Sequence, residues 1–110
     1  MSVSAADIAF SCSLFENIPD FNTRRMFGAL GLYCGPTIFA VQREDGQIMI
    51  KAAKGPFADK MRDLGGEQWL YTRKDGSKSS MPYWTLPNVY LDDPDESCAL
   101  AREALDALEA

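Results

Sequence analysis

Arg24 and Arg25, followed by glycines at 28, 31 and 35, are the residues whose types and spacing first suggest chemistry. Two guanidiniums beside a glycine-rich run could clamp a phosphate or a carboxylate through paired N–H donors. Lys51 and Lys54 fall at the end of a later apolar run and would extend such an anion site. The glycine spacing argues otherwise. Gly28-x-x-Gly31-x-x-x-Gly35 matches neither GxGxxG nor GxxxxGK[ST], and an apolar, β-branched run follows it, not the helix whose N-terminus would hold the phosphate. The glycines read instead as a bulge, a sharp bend, or room for another group to come close.

Other chemistries are narrowed by what is present. The chain has no histidine, which removes Ser-His-Asp and Cys-His catalysis and imidazole metal sites. Cys12, Cys34 and Cys98 are odd in number and without a CxxC, so reduced thiols are expected in place of a disulfide framework or a zinc knuckle. Cys34 as a nucleophile would need Arg or Lys to activate it. Carboxylates fall at helix starts (Asp7, Asp93, Asp95, Glu96) and turns (Asp45, Asp75), where capping accounts for them. No catalytic residue, metal site or cofactor is therefore expected. The formal charge of −5 opposes direct DNA binding. The cluster from Arg73 to Lys78, preceded by Trp69 and Tyr71, reads as a solvated hairpin tip that resembles a single-strand-binding face only in outline.

The elements that must position these residues follow from local signals. A chain of 110 residues, 46% of them hydrophobic, suits one domain over 1–110. Its apolar runs are far shorter than a membrane span and no signal peptide opens it, so a cytoplasmic protein is expected. Ser4 with Asp7 forms a capping pattern, with Val3 and Ile8 as its hydrophobic staple, and starts a helix over 4–17 with Ile8, Cys12 and Phe15 as its apolar stripe, widened by Leu14 and Ile18. Three strands follow between Met26 and Lys51, with Gly35-Pro36 and a type I′ turn at Asp45-Gly46 between them. Gly55-Pro56 opens a second helix that Gly65-Gly66 closes, with Phe57, Met61 and Leu64 buried. Two more strands, 67–73 and 80–86, flank Asp75-Gly76; Pro82 makes the second an edge strand or a bulged one. Asp93-Pro94-Asp95-Glu96 caps a last helix.

That order is α+β: helix, three strands, helix, two strands, helix, in two layers, with an antiparallel sheet covered by helices on one face. The uncovered face would carry Phe39, Met49, Trp69, Tyr71, Tyr83 and Trp84, more apolar surface than a solvated face needs. A protein partner or a homodimer is the expectation.

The run from Arg24 to Gly35, the strands after it, Lys51 and the segment Met81-Pro82-Tyr83-Trp84 to Pro87 resemble the N-terminal domain of the TfoX/Sxy family of bacterial competence regulators. The most specific part is Arg25-Met26-Phe27-Gly28 through Gly31 and Tyr33, with Ala29 where the family often has a further glycine. The resemblance implies a two-layer fold like that of secretion chaperones and a stand-alone, non-enzymatic domain lacking the helical C-terminal domain of full regulators. It implies regulation of competence genes through protein partners, with Met26, Phe27, Gly28, Gly31 and Tyr33 as the family signature, structural in role. The charges and aromatics themselves make Arg24, Arg25, Lys51, Tyr83 and Trp84 the expected ligand or partner contacts. The alternative is a small-anion or nucleotide-binding protein built on Arg24, Arg25 and Lys51.

Overall fold

Local caps set the helix boundaries in the computed structural model, which describes residues 3–26, 28–53 and 55–109. Helix α1 spans Ala5–Phe15, and the Asp7 N–H donates to Ser4 Oγ at 3.1 Å, as the capping pattern requires. Helix α2, Pro56–Asp63, places proline at its first turn after Gly55. It ends where Gly65 N–H donates to Arg62 and Gly66 N–H to Met61, the paired bonds of a Schellman motif. Helix α3, Pro94–Glu109, begins with the Glu96 N–H on Asp93 Oδ1 at 3.1 Å. A single 3-10 turn at Asn88–Tyr90 precedes it, tied on by the Ser97 hydroxyl, which donates to the Tyr90 carbonyl at 2.6 Å.

Among the described residues there are six strands: β1 Phe21–Met26, β2 Ala29–Cys34, β3 Thr37–Gln42, β4 Ile48–Lys51, β5 Gln68–Thr72 and β6 Lys78–Thr85. They form one antiparallel sheet in the order β1-β2-β3-β4-β6-β5, with all three helices packed into the core on one face. The α+β class and the one-sided cover agree with the sequence. The strand count does not: the run read as one strand from Met26 is a hairpin, because Gly28, at φ 82°, turns the chain between Met26 and Ala29. The sequence before it, Phe21 to Arg25, supplies the additional strand.

The turns also differ in detail. At Asp45-Gly46 the Arg43 N–H bonds to the Gln47 carbonyl and the Gly46 N–H to Arg43, and only Gly46 has positive φ, at 89°. This is a three-residue loop with a left-handed glycine bulge, not a two-residue type I′ turn. The Asp75-Gly76 hairpin repeats it, with Gly76 at 88°. Pro82 sits in an interior strand, opposite the register irregularity between Gln68 and Leu70 of β5. Of the two expectations for Pro82, the bulge holds and the edge does not.

The main core gathers Leu14 and Phe15 of α1, Leu30, Leu32, Phe39 and Ile50 of the sheet, Met61 of α2 and Leu100 and Ala101 of α3, all essentially buried. Phe15 and Phe39 meet edge to face at 5.4 Å between centroids. Of the apolar stripe read in the sequence, Leu14, Phe15 and Ile18 are buried and Ile8 and Cys12 half-buried, and the structure adds Ser11 to the buried side. Ser11 is tolerated because its hydroxyl donates to Gln42 Oε1 at 2.6 Å, where both residues are fully buried. Leu64, expected on the buried stripe of α2, is exposed.

Candidate functional site

Side chains alternate along a strand, so every position not facing the helices lies on the open face. Gly31 and Tyr33 of β2 lie there. So do Val41 of β3, Met49 and Lys51 of β4 and Tyr83 of β6. Although no helix covers them, Val41, Met49 and Tyr83 are buried, with Ile38, Trp69 and Met81 packed around them as a second apolar cluster. Trp69 meets Tyr83 edge to face at 6.3 Å. Two guanidiniums roof the aromatics at the margin: Arg24 lies 4.9 Å from the Tyr33 centroid and Arg43 5.5 Å from that of Trp69. Burial and the neighbouring Tyr33 push the Tyr83 phenol above its ordinary value of 10.0, so it remains a neutral donor.

Gly31 explains how Tyr33 can lie flat here. A Cβ at this position would meet Tyr33 Cε1 at 2.7 Å and Met26 Cε at 2.9 Å. The glycine is a floor for two side chains. Gly28 acts through its backbone instead, accepting at its carbonyl from Val3 N–H at 3.0 Å and so pinning the chain's start to the β1–β2 turn.

The structure divides the contact residues expected from sequence. Arg24, Lys51 and Tyr83 share the open face, but Arg25, the next residue in β1, points to the helix side, where its register partner is Leu30. Trp84 also faces the helices, and its Nε1–H donates to the Ala52 carbonyl at 3.1 Å. Phe39, expected on the uncovered face, is fully buried in the main core. The cause is the register shift of the β2–β3 ladder at Leu32 and Tyr33, after which Phe39 and Ala40 both turn inward. Arg24 and Lys51 are separated by the width of three strand spacings, about 14 Å. Arg24, Arg25 and Lys51 therefore do not converge on one small anion. Phe27 and Lys54 lie outside the described residues. Sequence reading misses Arg43, Ile38, Val41 and Met81; counting alternate positions back from Met49 and Tyr83 would find the last two.

A model of the TfoX N-terminal domain matches residues 13–108, which takes in all six strands, α2, the last turn of α1 and nearly all of α3. The chain belongs to the TfoX N-terminal domain family. A search of curated proteins finds no match. The TfoX N-terminal domain is associated in general with competence regulation and is not a known enzyme family. Within the matched stretch, Met26, Gly28, Gly31 and Tyr33 build the β1–β2 hairpin and the Tyr33 platform of the open face.

Charge in this TfoX N-terminal domain is sorted by element. The strands carry Arg24, Arg25, Lys51 and Lys78 and no Asp or Glu, although the whole chain is net −5. Among the described residues the acids lie in helices, caps, turns and links, Glu67 directly before β5. The Cys98 thiol, buried and donating to the Leu14 carbonyl at 3.4 Å, is pushed above its ordinary value chiefly by that burial, the opposite of an activated nucleophile. Among the described residues no group of three or more His, Cys, Asp or Glu is placed to hold a metal ion. Among them, too, no helix is long and apolar enough to cross a membrane.

Proposed function

We propose that this chain is a non-enzymatic cytoplasmic interaction domain that serves competence regulation by docking an acidic, partly apolar protein segment on the open face of its sheet. One observation carries the reading: an apolar cluster around Val41, Met49 and Tyr83 that no helix covers, framed by Arg24, Arg43 and Lys51. Aromatic rings and arginines at the rim of an apolar patch are the usual anchors of protein interfaces. An acidic partner suits the carboxylate-free strands. A protein suits them better than DNA, because the chain's net charge repels a polyanion at long range while Arg24 and Lys51 still attract a short acidic segment, Arg43 being paired with Asp45.

The test is photocrosslinking from Ile38 in cells, with the captured species identified and then rebuilt from purified components. Arg24→Glu with Lys51→Glu should abolish capture. The matched reversal Arg102→Glu on α3 should leave it intact. Equal capture by both variants, or recovery of nucleic acid in place of protein, would refute the assignment.

A further inference from the structure

The two edges of the sheet are defended unequally. An exposed edge strand offers unpaired N–H and C=O groups, and proteins blunt such edges with charge, proline or cover. β1, at one edge, carries Arg24 and Arg25. β5, at the other, is Gln-Trp-Leu-Tyr-Thr, without charge or proline, and exposes Leu70 at 59% and Tyr71 at 43%.

The β5 sequence is also complementary to itself. Reversed about Leu70, the stretch from Glu67 to Arg73 pairs Leu70 with Leu70, Trp69 with Tyr71, Gln68 with Thr72 and Glu67 with Arg73. Within one chain Glu67 and Arg73 stand six residues apart along an extended strand, about 20 Å, too far to meet. Across a two-fold axis they would be opposite each other. Cross-strand aromatic pairs and opposite charges are the contacts that stabilise antiparallel ladders.

Backbone orientation selects the same register. The Glu67 carbonyl accepts from Thr85 N–H, and Arg73 N–H donates to the Ser77 carbonyl, so odd-numbered residues of β5 turn their polar groups toward β6. Gln68, Leu70 and Thr72 then point theirs outward. A two-fold axis at Leu70 makes Leu70 opposite Leu70 a hydrogen-bonded pair, with Gln68 and Thr72 pairing on either side. The axis is perpendicular to the sheet, so both open faces stay on one side and both sets of helices on the other.

We propose that a second copy of this chain pairs antiparallel with β5 about Leu70, forming one continuous sheet across the dimer with Trp69 and Tyr71 of opposite copies in contact. The surface is the edge, not the open face, so the dimer stands or falls independently of partner docking. The strip is short, and the dimer is accordingly of the weak, concentration-dependent kind.

Sedimentation equilibrium over a concentration series tests it. The expected result is a species of twice the 12.2 kDa chain mass that dissociates on dilution. Leu70→Lys places like charges at the axis on an already exposed residue and should return a monomer with unchanged circular dichroism. Glu67→Arg and Arg73→Glu should each weaken the dimer at least about fivefold, and the double reversal should restore it to within about threefold, since two ion pairs flank the axis. A wild-type chain that is monomeric throughout, or a dimer indifferent to Leu70→Lys, overturns the proposal. Failure of the double reversal to restore pairing overturns the register.

Discussion

Replacing Gly31 with alanine adds a single methyl group to the open face, and the structure says what it would strike. The new Cβ would lie 2.7 Å from Tyr33 Cε1, 2.9 Å from Met26 Cε and 3.3 Å from Ile38 Cδ1. Carbon pairs settle at about 3.5–4.0 Å, so the Tyr33 ring must retreat by roughly 0.8 Å. Gly31 is not among the residues with positive φ, so no backbone strain contributes. Alanine in a strand gains about 0.5–1 kcal/mol over glycine, whereas overpacking costs about 1–3 kcal/mol, for a net loss of up to about 2.5 kcal/mol and about 1 kcal/mol at mid-range. At mid-range that corresponds to roughly 4 °C or more in melting temperature for a domain of this size.

The mechanism is separable from a general intolerance of substitution. Tyr33→Ala removes the first obstacle, and the flexible Met26 methyl can then swing into the vacated space. Thermal melts of the four chains of the cycle should therefore show Gly31→Ala as destabilising beside tyrosine and neutral or stabilising beside alanine, a coupling of about 1 kcal/mol or more. Equal cost in both backgrounds would refute steric flooring by glycine. Because Arg24 rests on Tyr33, Gly31→Ala should also disturb the margin of the open face while leaving the helix side unchanged.

Two further outcomes follow from buried and turn polar groups. Ser11→Ala strands the Gln42 Oε1 that now accepts at 2.6 Å, and should cost about 1–3 kcal/mol in chemical denaturation, with Ser11→Ala plus Gln42→Leu recovering most of it; no recovery would show the pair contributes nothing specific. For Asp45, partial burial raises the carboxyl, but the Gln47 N–H and the Arg43 guanidinium, 2.6 Å away, outweigh it and hold the group below its ordinary 3.8. A depressed folded value means stability that is present above 3.8 and lost as pH falls through the folded value, so the melting-temperature gap between wild type and Asp45→Asn should close in acid. Asp7 of α1 faces the same turn and is common to both chains, and a gap that persists at low pH would contradict the assignment.

The elements read correctly from sequence are those whose determinants are local. Ser4, Gly55-Pro56, Gly65-Gly66 and Asp93-Pro94 each act within one turn of chain, and each sits where its chemistry requires. The misreadings arise where a distant partner decides. β1 is hidden because its alternation of Asn22, Arg24 and Met26 against Thr23 and Arg25 carries little apolar contrast; it is a strand because β2 offers a ladder. Ser11, a polar residue outside the stripe read in the sequence, is buried because Gln42, 31 positions away, supplies its acceptor. The adjacency of Arg24 and Arg25 misleads in the opposite way, since neighbours in a strand are the residues least able to share a ligand.

The parity of the sheet decides which residues each face carries. A helix-covered face spends its apolar residues on the core, as Leu30, Leu32 and Ile50 do. The opposite face of a small antiparallel sheet ordinarily alternates to polar residues and meets water. Here it holds a second cluster whose Met49 is as buried as any core residue, yet whose only cover is Tyr83, Trp69 and their neighbours. Such a cluster closes the face against water without a helix, and Arg24 and Arg43 lie over the aromatic rings at its border. Glycine at 31 is what allows Tyr33 to join that border. Met26, Gly31 and Tyr33 are thus mechanically tied to one another on the open face, and the glycine acts there without a functional group of its own.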